Sequence, residues 1–91
     1  MDLETQSRRG REARRLMGEP LLVEAFAAVE AALKEAWLAT GDAQERERER
    51  LWLMLKLLQR LRGHLSEAAE TGRLADRQLE AFAAQRTAAR T

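Results

Sequence analysis

Five arginines crowd the start of the sequence, in Arg8-Arg9-Gly10-Arg11-Glu12-Ala13-Arg14-Arg15. Guanidinium groups at this density can contact several phosphates and give binding that weakens steeply as salt rises. On a helix Arg8, Arg11 and Arg15 share one face, and Arg9 and Arg14 share another less well. These five are the candidate nucleic-acid contacts. The competing reading is a solvated basic helix, or one whose arginines pair with acids of the following segment. The cluster holds no aromatic side chain for base stacking and no recognisable recognition-helix pair.

Catalysis needs a nucleophile, a base and an orienting group within reach of one another. The chain offers Ser7, Ser66, five threonines and one histidine, His64. His64 has Glu67 three residues on and Arg60 four residues back, which reads as a partly exposed helix histidine with a salt partner. The residue three before it is Leu61, so the Glu-x-x-His motif of di-iron bundles is absent. There is no glycine-rich phosphate loop, HExxH or EF-hand loop. With no cysteine, the chain has no disulfide framework and no thiolate metal site, and one histidine cannot hold zinc alone. The expectation is a non-enzymatic protein with no cofactor, no metal and no small-molecule substrate.

The third feature is apolar. Leu51-Trp52-Leu53-Met54-Leu55-Lys56-Leu57-Leu58 has seven apolar residues in eight. A helix that is apolar nearly all round is buried nearly all round, and a single helical hairpin cannot cover it. Either the terminal segments fold over it or another chain does. Trp37 and Trp52 are core anchors of one hairpin in the plain reading, and an interface anchor in the other, a role in which Trp is enriched. Trp52, Leu53, Met54 and Leu57 are the candidate contacts of a homo-oligomer.

The elements that must position these residues follow from composition. The 91 residues bound the chain to one small domain, and chains of this size often complete their burial with a partner. Alanine (17) and leucine (15) dominate; isoleucine and tyrosine are absent, and there are two valines and two phenylalanines. Strands need β-branched and aromatic residues, so a β fold is close to excluded. Gly18-Glu19-Pro20 reads as a helix stop and restart. Gly41 can close one helix in the left-handed conformation while Asp42 caps the next, with Glu45 as capping-box partner. Gly72 reads as a third stop, and Asp76 as the cap of a last short helix. The expected helices are 5–17, 20–40, 43–71 and 75–88.

In the second segment Leu22, Phe26, Val29, Leu33 and Trp37 form one stripe. Beside it runs a row of mostly small residues, Leu21, Ala25, Ala28, Ala32 and Ala36, which lets another helix approach closely. Glu30 and Lys34 form an i,i+4 pair. The alternating Glu45 to Arg50 run stays helical in water through i,i+3 pairs. Leu51, Leu55, Leu58, Leu61 (or Arg62) and Leu65 can pack on the second segment, and Gly63 marks a kink or a close crossing. The expected fold is all-α: an antiparallel helical hairpin with short flanking N- and C-terminal helices, forming an oligomer. Residues 1–18 are a basic arm, 19–72 the hairpin core, and 73–91 a short helix with a frayed tail. Leu22, Phe26, Val29, Leu33, Trp37, Leu55, Leu58 and Leu65 are the expected intrachain core.

Residues 1–18 carry a net +2 and residues 19–41 carry −3, within a total of +1. This asymmetry can orient the helices against each other or against another copy. The start has no apolar signal region, and no apolar run reaches membrane-spanning length. The expected location is the cytoplasm of the host cell or the virion, with no membrane partner.

The stretches from Arg11 to Leu22 (REARRLMGEPLL), Ala25-Phe26, Ala36 to Thr40 (AWLAT), Arg48 to Trp52 (RERLW), Gly63-His64-Leu65 and Thr71 to Ala75 (TGRLA) carry a resemblance. The layout over residues 8–75 resembles small uncharacterised helical proteins of phages, prophages and gene transfer agents. These look like products of the head-morphogenesis and DNA-packaging region. The resemblance implies a virion-assembly or packaging accessory, one version being a small terminase-like subunit whose helical hairpins assemble into a ring, with packaging or head proteins as partners. No clear helix-turn-helix precedes the hairpin, which speaks against sequence-specific DNA recognition. Two other readings stand beside it: a nucleic-acid-binding module using the arginine cluster, and a small inhibitor or adaptor of a host protein.

Overall fold

A computed structural model describes residues 1–90. It is all-helical, with three helices: α1 (Leu3–Met17), α2 (Pro20–Leu38) and α3 (Glu45–Arg90). Asp2 sets the start of α1. Its Oδ1 accepts the Thr5 N–H at 2.7 Å, and its carbonyl accepts the Gln6 N–H at 3.0 Å. That places the first turn two residues ahead of the expected boundary. Pro20 opens α2, where its fixed φ and missing N–H cost nothing. α2 closes at Ala39, which is right-handed, and no described glycine has a positive φ. The turn therefore does not use Gly41 in the left-handed conformation or Asp42 as a cap. Instead Gln44 accepts the Gly41 N–H through Oε1 at 2.8 Å and the Arg48 N–H through its carbonyl at 3.0 Å, which opens α3.

α3 runs unbroken for 46 residues. This corrects two expectations. Gly72 is not a stop, and residues 75–88 are not a separate helix. A single glycine costs a helix only about 1 kcal/mol, and the Glu, Ala, Leu and Arg around Gly72 favour the helix, with no proline to end it.

The chain divides into two compact units. In the first, α1 packs on α3 from Leu65 onward. The buried residues here are small: Ser7, Gly10 and Ala13 on α1, and Ala69, Gly72 and Ala75 on α3. Both sets recur every third residue. The partner pairs run in opposite senses, with Ser7 at Asp76, Gly10 at Gly72 and Arg14 at Ala69. A Cβ on Gly10 would lie 2.5 Å from the Gly72 Cα, and a Cβ on Gly72 would lie 3.0 Å from the Gln6 carbonyl oxygen. No side chain fits between the two backbones, so glycine on both helices is what permits the contact. The basic arm of residues 1–18 is thus packed across the expected boundary at 72/73, on the end of the expected hairpin core and the start of the expected short helix.

In the second unit, residues 18–64, α2 lies against the first part of α3. Arg62 pairs with Glu30 at 2.6 Å and stands over the Phe26 ring, while Arg48 stands over Trp37 and bonds Thr40 Oγ1 at 2.8 Å. These pairs also run in opposite senses. Leu22, Phe26, Leu33, Trp37, Leu55 and Leu58 are half-buried at this seam, and Leu51 is buried. Val29, expected in the core, is 48% exposed. Its place is taken by Glu30, whose carboxylate is satisfied by Lys34 and Arg62. For the same reason Arg62 faces inward and Leu61 outward. Leu65, also expected in this core, is half-buried within the first unit instead.

Gly63 meets nothing: a Cβ there has no atom within 4 Å. It is neither a break in α3 nor a close crossing. The two mid-helix glycines therefore respond oppositely to alanine. Gly63→Ala raises unfolding stability by about 0.5–1 kcal/mol through helix propensity. Gly72→Ala, with the same propensity gain, lowers it by about 1–3 kcal/mol because the new Cβ forces the helices apart. Urea unfolding followed by circular dichroism reads both signs.

Candidate functional site

The five arginines do not act as one cluster. Arg11 donates to Ser7 Oγ at 2.8 Å, and Ser7 in turn donates to Asp76 Oδ1 in a short hydrogen bond. Arg14 donates to the Ala69 carbonyl at 3.2 Å and lies 3.7 Å from Asp76. These two guanidinium groups belong to the α1–α3 packing, where they and Asp76 satisfy a buried hydroxyl and a helix carbonyl. Arg15 pairs with Glu12 on the surface at 2.9 Å. Arg8 and Arg9 are exposed and, among the described residues, make no hydrogen bond or ion pair. Arg8 lies near enough to Asp2 to help hold its carboxyl low, although the main cause is the Thr5 N–H it accepts.

His64 and Ser66 are exposed, and the contact between His64 and Glu67 is not formed. Among the described residues no group of three or more His, Cys, Asp or Glu could hold a metal ion. No helix among them is long and apolar enough to cross a membrane. The α2–α3 turn bears an open depression lined by Asp42 to Glu47.

The apolar candidates are all at the surface. Trp52 is 51% exposed, Leu53 49%, Met54 41% and Leu57 64%. They do not form one patch. α3 turns about 100° per residue, so Trp52 points well away from Leu57, and Lys56 Nζ lies 5.1 Å from the centre of its ring. Met54 and Leu57 instead line up with Leu61, which is 54% exposed. The sequence left the seam position to Leu61 or Arg62, and the structure gives it to Arg62. The signal that could have moved Leu61 outward was Glu30, which lies beside the apolar stripe of α2 and needs a cation opposite. On α2 the row Leu21, Ala25, Ala28, Ala32 and Ala36 is exposed along its whole length.

Apart from Ala28, which precedes the exposed Val29, each residue of these two rows sits one residue before an inward-facing one. Ala25, Ala32 and Ala36 precede Phe26, Leu33 and Trp37; Met54, Leu57 and Leu61 precede Leu55, Leu58 and Arg62. The rotation is the same about each axis. Because the two helices run in opposite directions, the same rotation brings both rows to one side of the pair. The second unit thus has an apolar side, small on α2 and large on α3. Neither a family model, nor a curated protein, nor a solved structure matches this chain.

Glu30 carries the polar part of the seam. Its carboxyl is held below the ordinary glutamate range by hydrogen bonds from Lys34 first and Arg62 second. A carboxyl whose folded value is depressed contributes stability above its unfolded value and loses it as pH falls through the folded one. Glu30→Gln is therefore less stable than the native chain at neutral pH, and the gap closes on acidification. Thermal unfolding across the acid range checks this; a gap independent of pH would show that the charge of Glu30 plays no part.

Proposed function

We propose that this protein is a non-enzymatic, self-associating helical module, with the antiparallel α2–α3 hairpin as its assembly element. One observation carries the reading: Leu21, Leu53, Met54, Leu57 and Leu61 are each at least 41% exposed, while no large side chain of the chain is fully buried among the described residues. A contiguous apolar surface of this kind on a small protein marks an interaction site. With Arg11 and Arg14 tied into the α1–α3 packing, the arginine cluster offers phosphates fewer free guanidinium groups than the sequence promises. The resemblance over residues 8–75 supports a setting in phage-type virion assembly or DNA packaging, as an accessory that joins copies of itself or head and packaging proteins.

Light scattering on a sizing column at two protein concentrations tests the reading. The expected result is a mass above 10.4 kDa that rises with concentration or is already saturated. Leu53→Glu with Leu57→Glu lowers the mass to that of a monomer with helicity retained, because both positions are exposed within the chain. A native chain that stays monomeric at millimolar concentration sinks the proposal.

A further inference from the structure

The apolar side of the α2–α3 pair has charged rims of opposite sign. Two residues before the inward-facing Phe26 and Trp37 come Glu24 and Glu35, at the outer edge of α2. Two residues before the inward-facing Arg48 and Arg62 come Arg46 and Arg60, at the outer edge of α3, with Arg50 close by. All five are exposed. Among the described residues Glu24, Glu35, Arg46 and Arg60 make no ion pair, and Arg50 has only a 3.8 Å approach to Glu47. The face is asymmetric twice over: small and acid-edged on α2, large and base-edged on α3.

We infer that this face docks a second copy of the chain about a two-fold axis parallel to the helices, setting α2 of each copy over α3 of the other. The inference rests on the self-association proposed above and specifies its geometry. Two-fold arrangements that bring the face onto itself differ in what they stack. An axis across the helices lays α2 on α2 and α3 on α3, so that acidic rim meets acidic rim and large side chain meets large. An axis along the helices preserves height. Within one chain Phe26 and Glu30 stand level with Arg62, and Trp37 and Thr40 with Arg48. The same levels then hold between copies. Ala28 and Ala32 come opposite Leu61 and Leu57 of the second copy, where a small row receives a large one as ridges enter grooves. Glu35 falls within a helical turn of Arg50 across the interface. Opposite rims attract, whereas the alternative sets like charges together.

The chain has no cysteine, so introduced ones report contacts cleanly. Ala32→Cys and Leu57→Cys variants are oxidised separately and as an equimolar mixture, alongside light scattering of the native chain. The expected result is a native mass of two chains and a disulfide-linked pair in the mixture, with little or none in either variant alone. A companion test reverses the rim. Glu35→Arg or Arg50→Glu alone weakens dimerisation by about tenfold, since two symmetry-related pairs turn repulsive, and the double variant restores it. Linking by Ala32→Cys alone overturns the inference in favour of α2 on α2. An oligomer that links in no combination, or one larger than two chains, overturns it while leaving self-association standing. A native monomer at every concentration overturns both.

Discussion

The approach of Gly10 to Gly72 is the constraint on which the first unit depends. Two helices that meet with 2.5 Å between a would-be Cβ and the opposing Cα have no room for side chains at the crossing. Everything near it must then be small, and it is: Ser7, Ala13, Ala69 and Ala75 continue the contact on either side. Small residues bury little apolar area each, so the contact draws on close backbone packing and on polar groups at its edge. Asp76 is the centre of that edge. It accepts from the buried Ser7 hydroxyl and attracts Arg14, while Arg11 also donates to Ser7. Two of the five arginines are consequently structural.

The second unit solves the same problem differently. Its seam is built from large side chains that remain partly exposed, with Leu51 the buried exception. Guanidinium groups complete the contact: Arg62 covers Phe26 and Arg48 covers Trp37, each also holding a polar partner across the seam. An arginine stem can bury apolar surface while its head stays paired, which suits a chain with few aromatic residues.

Much of this architecture was legible in the sequence. The stripe Leu22, Phe26, Leu33, Trp37 and its counterpart Leu51, Leu55, Leu58 follow helical spacing, and within one compact unit they are half-buried, with Leu51 buried. The small row on α2 was equally readable. What misled was punctuation. Gly72 resembles a helix stop as closely as it resembles a crossing point, because a glycine alone does not say which. The distinguishing signal is the every-third repeat of small residues, Ser7-x-x-Gly10-x-x-Ala13 and Ala69-x-x-Gly72-x-x-Ala75, which only acquires meaning when the two are set side by side. Gly63 lies in no such repeat, and nothing approaches it. Arg62 was legible at the seam only as the alternative to Leu61, for a related reason: hydrophobic periodicity favours Leu61, and only Glu30 on the other helix, which Lys34 alone pairs locally, favours Arg62. Among the candidate interface residues, type and exposure were readable, but the division of Trp52 from Met54 and Leu57 follows from which side of α3 is covered.

That division bears on what kind of assembly the chain can form. The two sides of the α2–α3 pair are unlike. On the side of Trp52 the apolar surface is broken by Lys34, Lys56 and Gln59, and Lys56 already lies over the Trp52 ring. On the other side the small and large rows run without a charge between them until Arg50. An open or ring-like series of copies needs two different complementary surfaces on each copy, whereas a closed pair needs one that is complementary to itself. A surface that is small and acidic along one helix and large and basic along its antiparallel neighbour meets that second requirement. The steric and electrostatic asymmetries also coincide, so a single rotation satisfies both. A higher assembly would then be built from such pairs through surfaces outside this face, and its symmetry would include the two-fold.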